Sequence, residues 1–345
     1  MSLVERIWWG RGALPGATRA ALAPAELLFR GIVAARGAMY DRGLLGAEPS
    51  ALPAVSVGNL SVGGTGKTPV AAWLAELLAE RGARPAIVMR GYGDDEPLVH
   101  RRLAPHADVI VGADRVLGVE RAAARGADVV VFDDAFQHRR AQRQEDVVLL
   151  AADGWNGRCR LLPAGPYREP LSALRRASLV LVTRKAADDD RVRQALAAAE
   201  RAAPAVPRAV ASLQPSALVP ATGAGARRLD DLLGARVLAI SAIGNAQAFH
   251  AQLRTHGASI DAASFPDHHA FSAEDIATLA ARARGAQLVV CTLKDAVKLA
   301  ARWPADGAGL WYVAQEVILE TGRGAIEALL ERLLLGRSAA ARTAG

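Results

Sequence analysis

The sequence predicts an α/β protein: a parallel sheet covered by helices, followed by a smaller second α/β lobe and preceded by an amphipathic helical segment. Three observations predict it. Short continuous apolar runs recur between stretches of helical period; a glycine-rich loop separates the first run from the first strong helix; and polar motifs stand at the carboxyl ends of the runs, where open α/β sheets bind ligands. The chain has 345 residues, 51% of them apolar, enough for a full core and two lobes.

Residues 1–45 are read as a membrane-interface segment. They carry Trp8, Trp9, Leu27, Leu28, Phe29 and Ile32 among six arginines (Arg6, Arg11, Arg19, Arg30, Arg36, Arg42) and three acids (Glu5, Glu26, Asp41), a segment charge of +3. An apolar helix face edged by arginine and tryptophan suits a bilayer interface, and it equally suits a helix packed on the protein's own core. The chain shows neither the order of a signal peptide nor an apolar stretch long enough to span a bilayer, so a cytoplasmic protein is expected.

The core domain is placed at residues 46–212. Ala54–Val57 is its first strand and Val70–Leu78 its first helix, and between them stands Ser61-Val62-Gly63-Gly64-Thr65-Gly66-Lys67-Thr68. A strand, glycine loop and helix in this order bind nucleotide phosphates. The glycines let successive backbone N–H groups face one anion, Lys67 brings a charge to the β- and γ-phosphates, and Thr68 offers a hydroxyl to Mg²⁺. Pro69 is tolerated in the first helical turn, where an N–H is dispensable. The strict phosphate-loop pattern has glycine where this chain has Ser61, with Gly58 nearby at the strand end. Phosphoryl transfer or nucleoside-triphosphate hydrolysis on a P-loop NTPase-like sheet is the chemistry this unit predicts.

Strands follow at Pro85–Met89, Ala107–Val111, Asp128–Asp134, Asp146–Leu150 and Ser178–Val182. An Ala-, Pro- and Gly-rich stretch of weak helical period places a linker at 213–228. The smaller lobe, 229–335, has strands at Arg236–Ile240, Ala258–Phe265 and Gln287–Cys291, and a helix at Ser272–Arg284 with Ser272 as its cap. Residues 336–345 read as a frayed tail.

Asp133 and Asp134 close an apolar strand, as a nucleotide enzyme requires opposite its phosphate loop: one carboxylate for Mg²⁺ or its waters, a second to orient. Asp94-Asp95-Glu96-Pro97 is a further acidic cluster at a strand exit, and Asp267-His268-His269 stands in the second lobe. Transfer to an alcohol needs a group that takes the hydroxyl proton, and a carboxylate, alone or coupled to histidine, can do so. Adjacent histidines point different ways and make a poor zinc pattern. Cys159 and Cys291 lack metal-ligand or CxxC spacing, which fits a reducing compartment. The net charge of +7 suits acidic partners, but aromatics make up only 5% and interleave with no basic stripe, which disfavours a nucleic-acid surface.

In order along the chain, Ser56–Pro69, Arg90-Gly91-Tyr92-Gly93, Asp95-Glu96-Pro97, Asp133–His138, Arg160–Pro170, Phe265–Phe271 and Lys294–Leu299 resemble the motifs of the tetraacyldisaccharide 4′-kinases, the lipid A kinases of Gram-negative bacteria. The resemblance covers roughly residues 5–330. It implies ATP-dependent phosphorylation of the 4′-hydroxyl of a tetraacyldisaccharide 1-phosphate, giving lipid IVA, by a peripheral protein on the cytoplasmic face of the inner membrane. The partners implied are the acylated disaccharide lipid and the membrane surface, with no nucleic acid and no obligate protein partner. By motif, Ser61, Val62, Gly63, Gly64, Thr65 and Gly66 cradle ATP, Lys67 and Thr68 serve ATP and Mg²⁺, and Asp133 and Asp134 form the metal side. Asp95 pairs with His268 to activate the acceptor hydroxyl, and Arg168 and Glu169 line the active site. Two lobes closing on substrate are implied as well, with the acid in one lobe and the histidine in the other. The family's N-terminal helix lies on the membrane, which favours the interface reading of residues 1–45.

Three departures stand out. The segment between Arg-Gly-Tyr-Gly and Asp-Glu-Pro is short and Asp94 replaces a glycine; Leu293 replaces a glutamate; Ala135 replaces a glycine. The rival reading is a membrane-associated regulatory P-loop switch ATPase. Such switches often carry a lysine just before the paired glycines, where this chain has Val62.

Overall fold

The computed structural model describes residues 3–10, 12–91, 93, 95–244, 246–305 and 307–343, and only the backbone of 3, 5 and 338–343. Arg11, Tyr92, Asp94 and Asn245, and the ends of the N-terminal segment and the tail, lie outside the described residues.

The N-terminal segment forms three helices, α1 (Leu3–Trp9), α2 (Ala13–Ala21) and α3 (Ala23–Asp41). Strands and helices then alternate: β1 (Ala54–Asn59), α4 (Lys67–Glu80), β2 (Pro85–Met89), α5 (Asp95–Leu103), β3 (Asp108–Val111), α6 (Arg115–Ala124), β4 (Val129–Asp133), β5 (Glu145–Ala151), β6 (Leu179–Arg184), α7 (Asp189–Ala202) and β7 (Arg208–Pro220). The remainder comprises β8 (Arg236–Ser241), α8 (Ala246–Thr255), β9 (Ser259–Ser264), α9 (Ala273–Ala283), β10 (Leu288–Cys291), α10 (Leu293–Leu299), β11 (Leu310–Thr321) and α11 (Arg323–Thr343).

Two compact units emerge: Met1–Gly91, Leu103–Leu213 and Val317–Gly345 form unit 1, and Tyr92–Arg102 with Gln214–Glu316 form unit 2. In unit 1 the strand order is β3-β2-β4-β1-β5-β6-β7, with each neighbouring pair parallel. Parallel strands buried on both faces read as unbroken apolar runs, which is why β1, β2 and β4 are buried along their whole lengths. On one face Val55, Val57 and Leu149 pack with Val70, Leu74 and Leu78 of α4 and with Ile326, Leu329, Leu330 and Leu333 of α11. On the other, Val148, Leu150, Val180 and Val182 pack with Phe136, Trp155 and the alanine-rich side of α7.

In unit 2 the order is β11-β10-β8-β9, again with parallel pairs. Successive residues alternate between two cores: Leu238, Ile240, Val289 and Cys291 on one face, Val237, Ala239, Leu288 and Val290 on the other. Helix α9 starts at a capping box in which the Ser272 hydroxyl takes the N–H of Asp275 and the Asp275 carboxylate takes that of Ser272.

Several boundaries differ from expectation. The expected linker, 213–228, begins inside β7, because Leu213 and Leu218 are buried and Leu218 pairs with Arg227. The expected C-terminal lobe loses residues from Val317 onward to unit 1, since α11 buries its apolar face there, and the described part of the expected tail, 336–343, continues α11. Residues 92–102 pass to unit 2, and Asp95 stands in the first turn of α5. Among the described residues no helix is long and apolar enough to cross a membrane. Phe29 of α3 packs against the unit 1 core, while Leu27, Leu28 and Ile32 are 67%, 68% and 57% exposed.

Candidate active site

The phosphate loop joins β1 to α4. Gly63 and Gly66 take left-handed φ values of 116° and 89°, and Gly66 is the residue on which α4 begins. Asn59 donates through Nδ2 to the Thr65 hydroxyl at 2.9 Å, and the Thr183 hydroxyl donates to the Thr65 carbonyl at 2.9 Å. These two buried contacts fix the crown of the loop from the ends of β1 and β6, which flank β5. On its other side the Val62 N–H donates to the Pro166 carbonyl at 2.8 Å, and the Arg168 N–H to the Leu60 carbonyl at 2.7 Å. The proline-rich segment at 160–170 therefore braces the loop. Gly58 beneath it admits no side chain: a Cβ there would lie 2.5 Å from that of Phe136.

Lys67, Asp134 and Arg168 form a charge cluster at the start of α4. The Lys67 ammonium lies 3.6 Å from the Asp134 carboxylate, and Arg168 Nη1 lies 3.2 Å from the same oxygen. Burial pushes the Lys67 ammonium below its ordinary value; Asp134 opposes that shift and Arg168 adds to it. Glu169 is buried and held by Arg176 at 2.7 Å, and Arg176 stacks on the Phe136 ring. The Thr68 hydroxyl lies 3.4 Å from Asp133 Oδ2. A hydroxyl and a carboxylate are hard oxygen donors of the kind Mg²⁺ takes together with phosphates and water, so the donor set fits that ion. Among the described residues no three His, Cys, Asp or Glu gather as a metal cluster.

Unit 2 carries the other predicted group. Asp95, 4% exposed, points its Oδ2 at His268 Nδ1, 3.5 Å away, and at Lys298 Nζ, 3.4 Å away. The His268 side chain is 48% exposed, and its Nε2 lies 3.9 Å from Asp267. Gly93 makes room for the pair, since a Cβ there would sit 2.8 Å from Asp95 Oδ1. Acid and histidine thus meet inside one unit, not in separate lobes as expected, because the short 92–102 segment belongs to unit 2. His269 is engaged elsewhere, at 2.9 Å from Asp275 and stacked on Phe265. Among the described residues, two non-glycine residues have positive φ, Asp134 at 52° and His268 at 59°, and both are predicted site residues.

Asn59, Thr183, Arg176 and Lys298 escaped the sequence reading. Asn59 and Lys298 lie inside the motifs Ser56–Pro69 and Lys294–Leu299 but had no role there; Thr183 and Arg176 carry no spacing signal.

A parallel α/β sheet with this loop, its lysine and paired carboxylates at a strand end defines a phosphate-loop nucleotide enzyme. The family model of tetraacyldisaccharide-1-P 4′-kinase (LpxK) matches residues 18–95 and 93–334. The tetraacyldisaccharide 4′-kinase of Anaeromyxobacter sp. (strain Fw109-5) is 41% identical over 335 residues, covering 89% of this chain and 90% of its own. That of Halorhodospira halophila is 37% identical over 349 residues, covering 94% and 96%. The solved structure of LpxK from Aquifex aeolicus in complex with ATP matches with a TM-score of 0.73 at 27% identity, over 92% of this chain and 99% of that one. The chain belongs to the tetraacyldisaccharide 4′-kinase family.

Proposed function

We propose that this chain uses ATP to phosphorylate the 4′-hydroxyl of a tetraacyldisaccharide 1-phosphate, giving lipid IVA, while resting peripherally on the cytoplasmic face of the bacterial inner membrane. The observation that carries the reading is the Asp95–His268 pair: in a chain of this family, a buried carboxylate sits 3.5 Å from a half-exposed imidazole. An alcohol holds its proton too firmly to release it before the phosphoryl group begins to move, so a positioned acceptor is required. Nε2 of His268 takes that proton, while Asp95 at Nδ1 orients the ring and offsets the charge it gains.

Backbone N–H groups of Ser61–Thr68 and the Lys67 ammonium hold the phosphates. Thr68, Asp133 and Asp134 would hold Mg²⁺, which when bound would offset charge on the phosphate oxygens. Arg168, paired with Asp134, lines the active site, with Glu169 held by Arg176. The exposed Leu27, Leu28 and Ile32, with Arg30 and Arg36 on the same helix, support a membrane-interface role for α3. The proposal needs neither nucleic acid nor an obligate protein partner.

A mass spectrum of the acceptor after incubation with Mg·ATP tests it, the expected product carrying one added phosphate. ATP consumption with no phosphorylated lipid, stimulated only by a protein or membrane partner, would return the chain to the switch reading.

A further inference from the structure

The carboxylate of Asp95 is almost wholly buried, and an ionised carboxylate in such a place needs a cation at hand. Two groups meet the same oxygen: His268 Nδ1 at 3.5 Å and Lys298 Nζ at 3.4 Å. They offer different things. A lysine brings a standing positive charge at neutral pH, whereas an imidazole brings one only by holding a proton. A histidine that must stay protonated to balance its neighbour has no capacity left to accept another proton.

We propose that Lys298 is a positioning residue for phosphoryl transfer: its ammonium balances Asp95, so that His268 can stay neutral until the acceptor hydroxyl gives up its proton. The inference rests on the reading of the Asp95–His268 pair as the proton acceptor.

The surroundings of Lys298 fit this task. Its side chain is 16% exposed and lies 3.5 Å from the His269 carbonyl, so the ammonium is held in place. One turn earlier on α10, Asp295 is fully buried, accepting from the Ala242 N–H at 3.1 Å and from the Thr292 hydroxyl at 2.6 Å. Burial raises the Asp295 carboxyl above its ordinary value and Asp95 adds to that, while Lys298 works against both. The ammonium therefore serves two carboxylates. Charged groups near the pair include Asp267, Asp295 and Lys298. Lys298 is the cation of that set. Remove it, and the pair must retain its proton to a higher pH.

The experiment compares Lys298→Met, Lys298→Arg and His268→Asn in the full-length protein, with thermal melts as the check on folding. Two readouts are taken: the pH profile of kcat with Mg·ATP and the lipid acceptor, and the NMR titration of the His268 imidazole, assigned by its loss in His268→Asn. In Lys298→Met the titration and the rising limb of kcat should both move up by about one pH unit. At neutral pH kcat should fall about tenfold, with the ATP KM within about twofold of wild type, and kcat should recover at higher pH. Lys298→Arg should keep both readouts near wild type. A folded Lys298→Met with an unshifted titration overturns the inference even if activity falls. A shifted titration with an unaltered kcat profile instead removes the reading of the pair as proton acceptor, and the positioning role with it. Should Lys298→Met fail to fold, Lys298→Gln takes its place under the same criteria.

Discussion

Arg168 donates from Nη1 to both carboxylate oxygens of Asp134, at 3.2 and 3.3 Å, and so ties the proline-rich segment to the carboxylate that also faces Lys67. Three charges are thereby committed to one another at the proposed phosphate site. In the proposed reaction an arriving triphosphate brings negative charge that Lys67 and Arg168 would share.

If Lys67 binds the phosphates as proposed, its lowered ammonium should make nucleotide affinity fall at alkaline pH. The lysine's contribution to binding is fully present while it is charged, and is lost as pH rises through its value in the free protein, which lies below 10.5. ATP affinity measured by calorimetry should therefore decline at alkaline pH in the wild type. Lys67→Ala should be weaker by about 10- to 100-fold at neutral pH and flat across the range. Lys67→Arg should also be flat, and a wild-type profile equally flat would refute the assignment.

In the proposed reaction Asp95 and His268 act on one proton, so their losses should not add. Asp95→Asn and His268→Asn should each lower kcat by about 10²–10⁴-fold with little change in the ATP KM. The double variant should be little worse than the worse single one. Fully additive losses in a double-mutant cycle would give the two residues separate jobs.

Asp275 ties unit 2 stability to acid pH. The Ser272 N–H, then His269 and the Ser272 hydroxyl, pull its carboxyl down to about 2. A depressed carboxyl stabilises the fold above its unfolded value, about 3.9, and that contribution is lost as pH falls through about 2. The melting temperature of Asp275→Ala should sit about 2 °C below wild type at neutral pH, and the gap should close between about pH 4 and pH 2. A gap that widens on acidification would contradict the capping assignment.

The exposed face of α3 can be tested without cutting the chain. Replacing Leu27, Leu28 and Ile32 with serine removes apolar side chains that each stabilise an inserted helix by roughly 1.5–3 kcal/mol. Co-flotation with anionic vesicles should drop more than about tenfold while ATP binding persists. High salt should weaken wild-type binding only in part, since apolar insertion is not screened. Unchanged flotation would place the anchor elsewhere.

Most strands were legible because parallel strands, buried on both faces, are written as apolar runs; β2 begins and ends where the run Pro85–Met89 does. β7 was not. Pro215 interrupts it and its composition is that of a loop, yet buried Leu213 and Leu218 and its strand pairing hold it extended. The assignment of 92–102 and α11 to their units depends on contacts far apart in sequence, which no local pattern records. The phosphate loop was readable because its chemistry is local. Arg176 and Lys298 were not, because each acquires its role only when another segment brings Glu169 or Asp95 within reach.

The left-handed backbone at Asp134 and His268 bears on how mutants of this chain are to be interpreted. Asparagine tolerates that conformation, whereas alanine pays about 1–2 kcal/mol to adopt it. An alanine scan would therefore inflict two injuries at each position, one chemical and one conformational, and score them as one. Comparing asparagine with alanine at the same site separates them. The asparagine variant reports the missing carboxylate or imidazole, and the further loss on going to alanine measures the energy the fold stores in holding that residue in its turn.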